Sequence, residues 1–584
     1  MNNLTTLQNF ILPGLSFSSP DDLYIRGKYS LNRVNQSLYV SKGNGVYFDT
    51  FFNSISVQTW KNTCGIDDLC LKISGNGNCN IEICHSILGN FPKVLCNHEI
   101  SLSSSPQIIP IKNWKSLTNG LIFLRLNALS DCKIEHIAFC SNTPQKSSPK
   151  LGVVITHFNR QEYVLNSIKR INDSLLKSES NITLLVVDNS RNLDTLPYTN
   201  SRIKIIKNKN LGGAGGFARG LLYLKNNGFT HCCFMDDDAS CEIEAIRRTL
   251  IIFSYLSPKT QNDIAISGIL LKEDQPNIVN EAGAMFYRGR VTPICANVNI
   301  SNFFEIEHIN RQSLTSNYGA WCYFAFDISA IKQMPYPFFV RGDDIYFSLS
   351  NKLKIMTING ICTWIDDFSI KESPLTRYLG FRSSIIIPML QSTLSLSRFL
   401  KLFNQWHRSA VLSYNYGSAK AIELAVMSIL KGPESLVNDM EGNKFREIIK
   451  PLQVSEALIT PLEKVAFEPV SLKYRHLKNV IRIISLNGLL LPSSFFKKTI
   501  VQRKAFSANT KDIFLSKEIF YLDEKTGKGY IAKYNKIESI KRIATRIILM
   551  IKIIASFKLT CKKFNRSALS LTTEEFWKEQ FTDN

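Results

Sequence analysis

One apolar segment ending in three carboxylates, His231-Cys232-Cys233-Phe234-Met235-Asp236-Asp237-Asp238, restricts the fold of this chain more than any other feature. A strand without polar alternation is buried on both faces, which places it in a parallel sheet covered by helices. Such sheets bind ligands at the carboxyl ends of their strands. Adjacent carboxylates repel one another unless a cation or hydrogen-bond donors balance them. Mn²⁺ or Mg²⁺ commonly bridges one or two carboxylates to a diphosphate. Side chains alternate along a strand, so Asp236 and Asp238 can share a face while Asp237 points elsewhere. A solvated turn with an aspartate helix cap is the plainer alternative.

The flanking sequence repeats the pattern. Leu151-Gly152-Val153-Val154-Ile155-Thr156, Thr183-Leu184-Leu185-Val186-Val187-Asp188 and Ile203-Lys204-Ile205-Ile206 are apolar strands, and a helical stretch runs from about Tyr163 to Ile171. These are βαβ units. Thr156, Asp188 and Asp236 fall at strand ends and are expected to line one crevice. Asn210-Leu211-Gly212-Gly213-Ala214-Gly215-Gly216-Phe217-Ala218-Arg219-Gly220 joins a strand to a helix. Glycines there let backbone N–H groups approach phosphate, and Arg219 can add a charge-assisted bond. The relaxed dinucleotide fingerprint Gly213-x-Gly215-x-x-Ala218 also fits, but it follows the third strand of the unit rather than the first. A tight packing turn is the alternative. Arg341-Gly342-Asp343-Asp344 follows another apolar run. One carboxylate can orient a substrate hydroxyl while the other takes its proton. Trp321 and Trp364 lie in aromatic segments near these acids, as sugar platforms or as core.

At 584 residues the chain is too long for one core, and about three domains are expected. Residues 1–146 hold short β-like runs and read as a β-sandwich or barrel, with Gly75-Asn76-Gly77-Asn78 as a turn. Residues 143–149 read as a linker. Residues 147–390 form the Rossmann-like unit with a mainly parallel sheet. Residues 391–584 read as mainly helical, with breaks at Pro451, Pro461 and Pro492. The whole is a multidomain α/β protein. Its net charge is +22, and residues 401–584 carry 31 Lys/Arg against 17 Asp/Glu. That excess attracts polyanions. Ile543 to Phe557, with Arg546 and Lys552, suits a basic amphipathic helix on an anionic membrane, or equally a core helix with basic ends. No run of ~20 apolar residues suggests a membrane span. The 14 cysteines show no C-x-x-C pair, and Met1-Asn2-Asn3-Leu4-Thr5 lacks signal-peptide character. Reduced thiols in a cytoplasm are expected.

Thr156-His157-Phe158-Asn159-Arg160, Val187-Asp188-Asn189, the glycine loop and Phe234 to Asp238 occur in an order that resembles family 2 inverting glycosyltransferases of GT-A fold. The motifs are more specifically similar to bacterial galactofuranosyltransferases of the kind that polymerise mycobacterial galactan. Leu23-Tyr24-Ile25-Arg26-Gly27, Phe48-Asp49-Thr50-Phe51-Phe52-Asn53 with Trp60, Arg341-Gly342-Asp343-Asp344 and Tyr378-Leu379-Gly380-Phe381-Arg382 extend the likeness over residues 20–390. The resemblance implies that Arg160 and Asp188 hold the uridine side of UDP-galactofuranose. Asn210, Gly212 and Gly213 would flank its diphosphate and sugar, with Thr156, Arg219 and Asp237 near the donor. Asp236 and Asp238 would hold Mn²⁺ or Mg²⁺, Asp344 would be the general base, and Asp343, Trp321 and Trp364 would meet the acceptor.

Two positions depart from the family. Ile365 stands where the family places a metal-binding histidine, so Asp366 is the candidate substitute. The family's paired tryptophans become Trp321-Cys322, or else Ala320-Trp321. The expected partners are a glycan or glycolipid acceptor and an anionic membrane, on the inner face of the cytoplasmic membrane, and not nucleic acid. A homo-oligomer is left open. The alternatives are a family 2 transferase for another nucleotide sugar, and a non-catalytic glycan- or nucleic-acid-binding protein on a transferase scaffold.

Overall fold

The computed structural model describes the chain apart from residues 1–3, 15–18, 35, 194–199, 313–314, 367–371, 462–474, 486, 497, 504–512, 524–525 and 583–584. The first region is an antiparallel assembly of eleven strands. Its spine is Cys70–Ser86. The first half of that strand pairs with Cys132–Ser141, and the second half with Leu121–Ala128 and Lys93–Leu102. Gly75-Asn76-Gly77-Asn78 is therefore not a turn. It lies where one strand passes from one set of partners to the other, and the glycines admit the neighbouring backbone.

The central sheet has seven strands in the order Ile203–Lys207, Ile182–Asp188, Leu151–His157, His231–Asp236, Phe324–Asp327, Ile264–Ser267, Lys354–Met356. The first four run parallel, and only Phe324–Asp327 runs against its neighbours. The expected mainly parallel sheet is present, and its apolar strands are buried as their composition requires. The β region is welded to this unit rather than tethered. Tyr24 donates to Glu242 at 2.7 Å, and Asn359 Nδ2 donates to the Phe51 and Ser54 carbonyls. Residues of both regions share one apolar core.

Beyond residue 390 helices dominate: Leu396–Leu412, Tyr416–Lys431, Asn443–Gln453 and the long helix Lys536–Ser570. Pro451 does not break its helix but sits in its last turns. The mainly helical expectation missed a four-stranded sheet made of Thr460–Pro461, Lys528–Lys533, Ser516–Asp523 and Lys498–Arg503. Part of the basic 471–510 segment lies outside the described residues. Buried His407 and Arg542 both contact Glu423, which ties three of these helices together. The terminal helix Glu574–Phe581 returns to the central unit. Its Trp577 is fully buried and donates to the Pro335 carbonyl at 2.8 Å. Among the described residues no helix is long and apolar enough to cross a membrane.

Candidate active site

The parallel register aligns Thr156 with Asp236 and His157 with Asp188, so the strand ends form one edge. At that edge the carboxylates already have counter-charges. Arg160 Nη1 lies 3.0 Å from Asp237 and 2.6 Å from Asp238. Asp237 also accepts from Phe158 N–H at 3.1 Å and sits 3.4 Å from His157 Nδ1. Burial pushes the His157 pKa down, but its bonds to Asp237 and Asn192 outweigh this and raise it. Asp237 thus clamps the 157–160 turn. Asp236 accepts from the buried Cys322 thiol at 3.4 Å.

Asp188 is fully buried, and its oxygens accept from the backbone N–H groups of Ser190, Arg191 and Leu193. It shapes the loop after its strand. Asn210 accepts from Gly212 N–H at 3.2 Å. Arg219 lies along the glycine helix Gly212–Asn226, with its guanidinium 5.0 Å above the Phe581 ring. That contact faces the terminal helix rather than the acid cluster.

The glycine loop backs onto the second acidic motif. Gly212 has φ +70°, and a Cβ there would collide with the Phe339 carbonyl, which accepts from Ala214 N–H at 3.1 Å. A Cβ on Gly213 would sit 3.2 Å from Asp343 Oδ2. The segment leading to the acid helix Asp343–Ser350 is itself strained: Phe339, Arg341 and Gly342 have φ of 74°, 65° and 99°. It is held from behind. Arg382 donates to the Phe338 carbonyl at 2.7 Å, Phe445 packs edge-on to Phe339 at 5.6 Å, and Arg446 lies over the same ring.

Burial, with Asp344 and Asp236 nearby, raises the Asp343 pKa well above the carboxylate range. Burial also raises Asp344, to about 6, against the pull of backbone N–H groups and Arg341. Glu281 joins this cluster: burial and the Asp344 charge raise it to about 7. Tyr318 and Cys322 are raised in turn, first by burial and then by neighbouring acids that include Glu281. Asp236, Asp343, Asp344 and Glu281 therefore share one electrostatic environment. Sequence reading missed Glu281, because it ends the short strand Val279–Glu281 with no motif around it.

The tryptophans separate. Trp364 donates to the Pro276 carbonyl and lines a cleft of about 650 Å³ with Asp237, Tyr163, Arg170 and Glu273. Trp321 is only 4% exposed and packs on Phe217, Phe234 and Phe347. It is core, which leaves little surface for an acceptor. Ile365 packs with Ala239, Leu270, Ala320 and Cys322, so an apolar wall stands where a histidine was expected. Asp366 follows it, half-buried, and Asp367 lies outside the described residues. Among the described residues no group of three His, Cys, Asp or Glu side chains is gathered for a metal. The sequence candidates Asp236 and Asp238 would offer carboxylate oxygens. That pair fits Mn²⁺ or Mg²⁺, which complete their shell with substrate phosphate and water.

Residues 152–255 match the model of glycosyl transferase family 2. Two galactofuranosyltransferases named GlfT2 align far more widely. The Mycolicibacterium smegmatis protein is 21% identical over 448 residues, covering 70% of this chain and 67% of that one. The Mycobacterium tuberculosis protein is 19% identical over 441 residues, covering 70% and 68%. The chain carries a family 2 glycosyltransferase domain and is similar to galactofuranosyltransferases. Solved structures resemble it distantly. GalNAc-T7 with UDP, GalNAc and Mn²⁺ aligns at TM-score 0.31 and 10% identity over 42% of this chain and 48% of its own. S. aureus TarS 1-349 with UDP-GlcNAc aligns at 0.30 and 12% over 53% and 94%.

Proposed function

We propose that the protein transfers galactofuranose from UDP-galactofuranose to a lipid-linked glycan, with inversion. The observation that carries this reading is the pair Asp343–Asp344 at the start of its helix, with buried Asp343 close enough to Asp236 for their charges to interact. A carboxylate poised near pH 6 accepts a proton at neutral pH yet keeps useful basicity. The acceptor hydroxyl hydrogen-bonds to Asp344 while Asp343 and Glu281 orient the glycan. As the hydroxyl oxygen attacks the anomeric carbon, its proton passes to Asp344. The anomeric C–O bond to UDP breaks on the opposite face, and UDP leaves with the bonding pair. Arg160, paired here with Asp237 and Asp238, would hold the uridine side of the donor with Asp188. Asp236 and Asp238 would hold Mn²⁺ or Mg²⁺, with Asp366 as third-ligand candidate; when bound, the ion neutralises charge on the leaving diphosphate.

In this reading residues 147–390 are the catalytic unit, flanked by the β region 1–146 and the basic region 391–584. The long helix supports a peripheral site on the inner face of the cytoplasmic membrane. It exposes Ile547, Ile551 and Ile554 beside Lys541, Lys552 and Lys558. The test is a panel of nucleotide sugars with nucleotide release as readout. UDP-galactofuranose should turn over far faster than UDP-galactopyranose. Equal use of the two, or preference for another nucleotide sugar, would assign the protein to a different donor.

A further inference from the structure

A second charged surface lies beside the acceptor end of the crevice. The hairpin Ala284–Tyr287 and Arg290–Pro293 is rooted at Tyr318, next to the acid cluster: Ala284 bridges to Tyr318, and Asn317 bonds both backbone groups of Phe286. From there it extends outward by ~10 Å. Its turn is Arg288-Gly289, with φ of 50° and 76°. Such turns favour Asn-Gly or Gly-Gly, so an arginine here goes against local preference. Gly289 is required, because a Cβ would strike the Ser384 carbonyl and Leu402 of the helices beneath.

That docking brings the hairpin onto the helix Leu396–Leu412. Arg398 Nε donates to the Arg288 carbonyl at 2.8 Å, and Arg290 bonds Gln405. Arg398, Lys401, Gln405 and Arg408 recur at helical spacing and share one face, ~15 Å long. Arg546 of the long helix continues the track, close enough to Arg408 for their charges to interact. No Asp or Glu occurs between Glu281 and Glu305, or between Glu372 and Glu423. Arg288, Arg290 and Arg398 therefore crowd together without a carboxylate from their own segments, and the like charges depress Arg398 after its burial does. Met285, Tyr287 and Val291 stand exposed at the hairpin end.

We propose that this face, formed by the hairpin and the Leu396–Leu412 helix, seats on the headgroups of an anionic bilayer. The basic track meets lipid phosphates, and Met285 and Tyr287 dip into the interface, which turns the acceptor side of the crevice toward the membrane. The inference deepens the lipid-linked reading of the acceptor and names the surface that reaches it.

The experiment is vesicle flotation of the full chain at low and physiological salt. The vesicles are neutral phosphatidylcholine, alone or mixed with phosphatidylglycerol. Wild type should bind only the anionic vesicles, and less as salt rises. Arg290→Glu/Lys401→Glu/Arg408→Glu should bind at least 10-fold more weakly. The milder triple glutamine variant should fall between. UDP affinity, unchanged, shows that the variants are folded. Undiminished vesicle binding by the triple variant would overturn the proposal and leave the long helix as the membrane element. Equal binding to neutral vesicles would overturn it too. So would loss of wild-type binding in millimolar pyrophosphate at constant ionic strength, since the surface would then select a discrete phosphate. Turnover with a water-soluble acceptor, measured in parallel, should be the same for wild type and variants. Its absence in both would sink the donor reading without touching the vesicle result.

Discussion

At the scale of single residues, the acid pair makes the sharpest demands. The general base contributes roughly 10²–10⁴-fold, so Asp344→Asn should lower kcat by that factor while UDP affinity stays near wild type. Its raised pKa also sets a pH signature. In wild type, kcat/KM should climb as pH rises through about 6 and then level off, and the Asp344→Asn residual rate should lack that limb. The same shift acts on stability with the opposite sense. A carboxyl that binds its proton more tightly when folded costs stability as pH rises from 3.8 toward about 6. Burial shifts Asp343 in the same direction, so Asp343→Asn should raise the melting temperature at neutral pH while impairing acceptor use, measured by calorimetry and acceptor titration. A rate for Asp344→Asn of half the wild-type value or more would remove it from the role. On the other edge, EDTA should abolish transfer and Mn²⁺ or Mg²⁺ should restore it. Asp238→Asn should lose most activity with folding intact, and full activity in chelator would exclude the metal role.

At the scale of elements, the segment that leads to the acid pair is braced by a helix that carries no motif. Phe445 and Arg446 press on Phe339, three to five residues before Gly342, Asp343 and Asp344. Phe445→Ala should release the strained 339–342 backbone and lower kcat roughly 10–100-fold, the cost of an ångström-scale misplacement. Donor affinity, read by titration with UDP, should hold, and Phe445→Leu should recover part of the rate. A parallel loss of UDP affinity would show a general collapse instead. This brace was not legible in the sequence, whereas the strand ends were. Apolar runs such as Leu151 to Ile155 state their own burial, and the acids that follow mark the carboxyl edge. Glu281, Cys322 and the Phe445 brace are joined to the site only by tertiary packing, so no local period announces them. The strand Ser516–Asp523 mixes Lys, Glu and Asp with its apolar residues, and it escaped notice for the same reason. For Trp321 the two readings open in the sequence were platform and core, and its ring packs in the phenylalanine core.

At the scale of the whole molecule, the terminal helix is part of the central unit. Trp577 packs in the same apolar cluster as Phe217 and Trp321, and Lys225 pairs with Glu574. Trp577→Ala should cost about 3–5 kcal/mol, the range for a buried aromatic truncated to alanine, measured by denaturant unfolding. If unfolding is unchanged, the helix is a passive appendage. The pairing has a consequence in time. Glu574 is made 349 residues after Lys225. At 5–20 residues per second, a nascent chain carries its glycine helix without that cover for roughly 20–70 s. Through that interval the outer flank of the glycine helix offers bare apolar surface to any chaperone, or to any other unfinished chain, within reach.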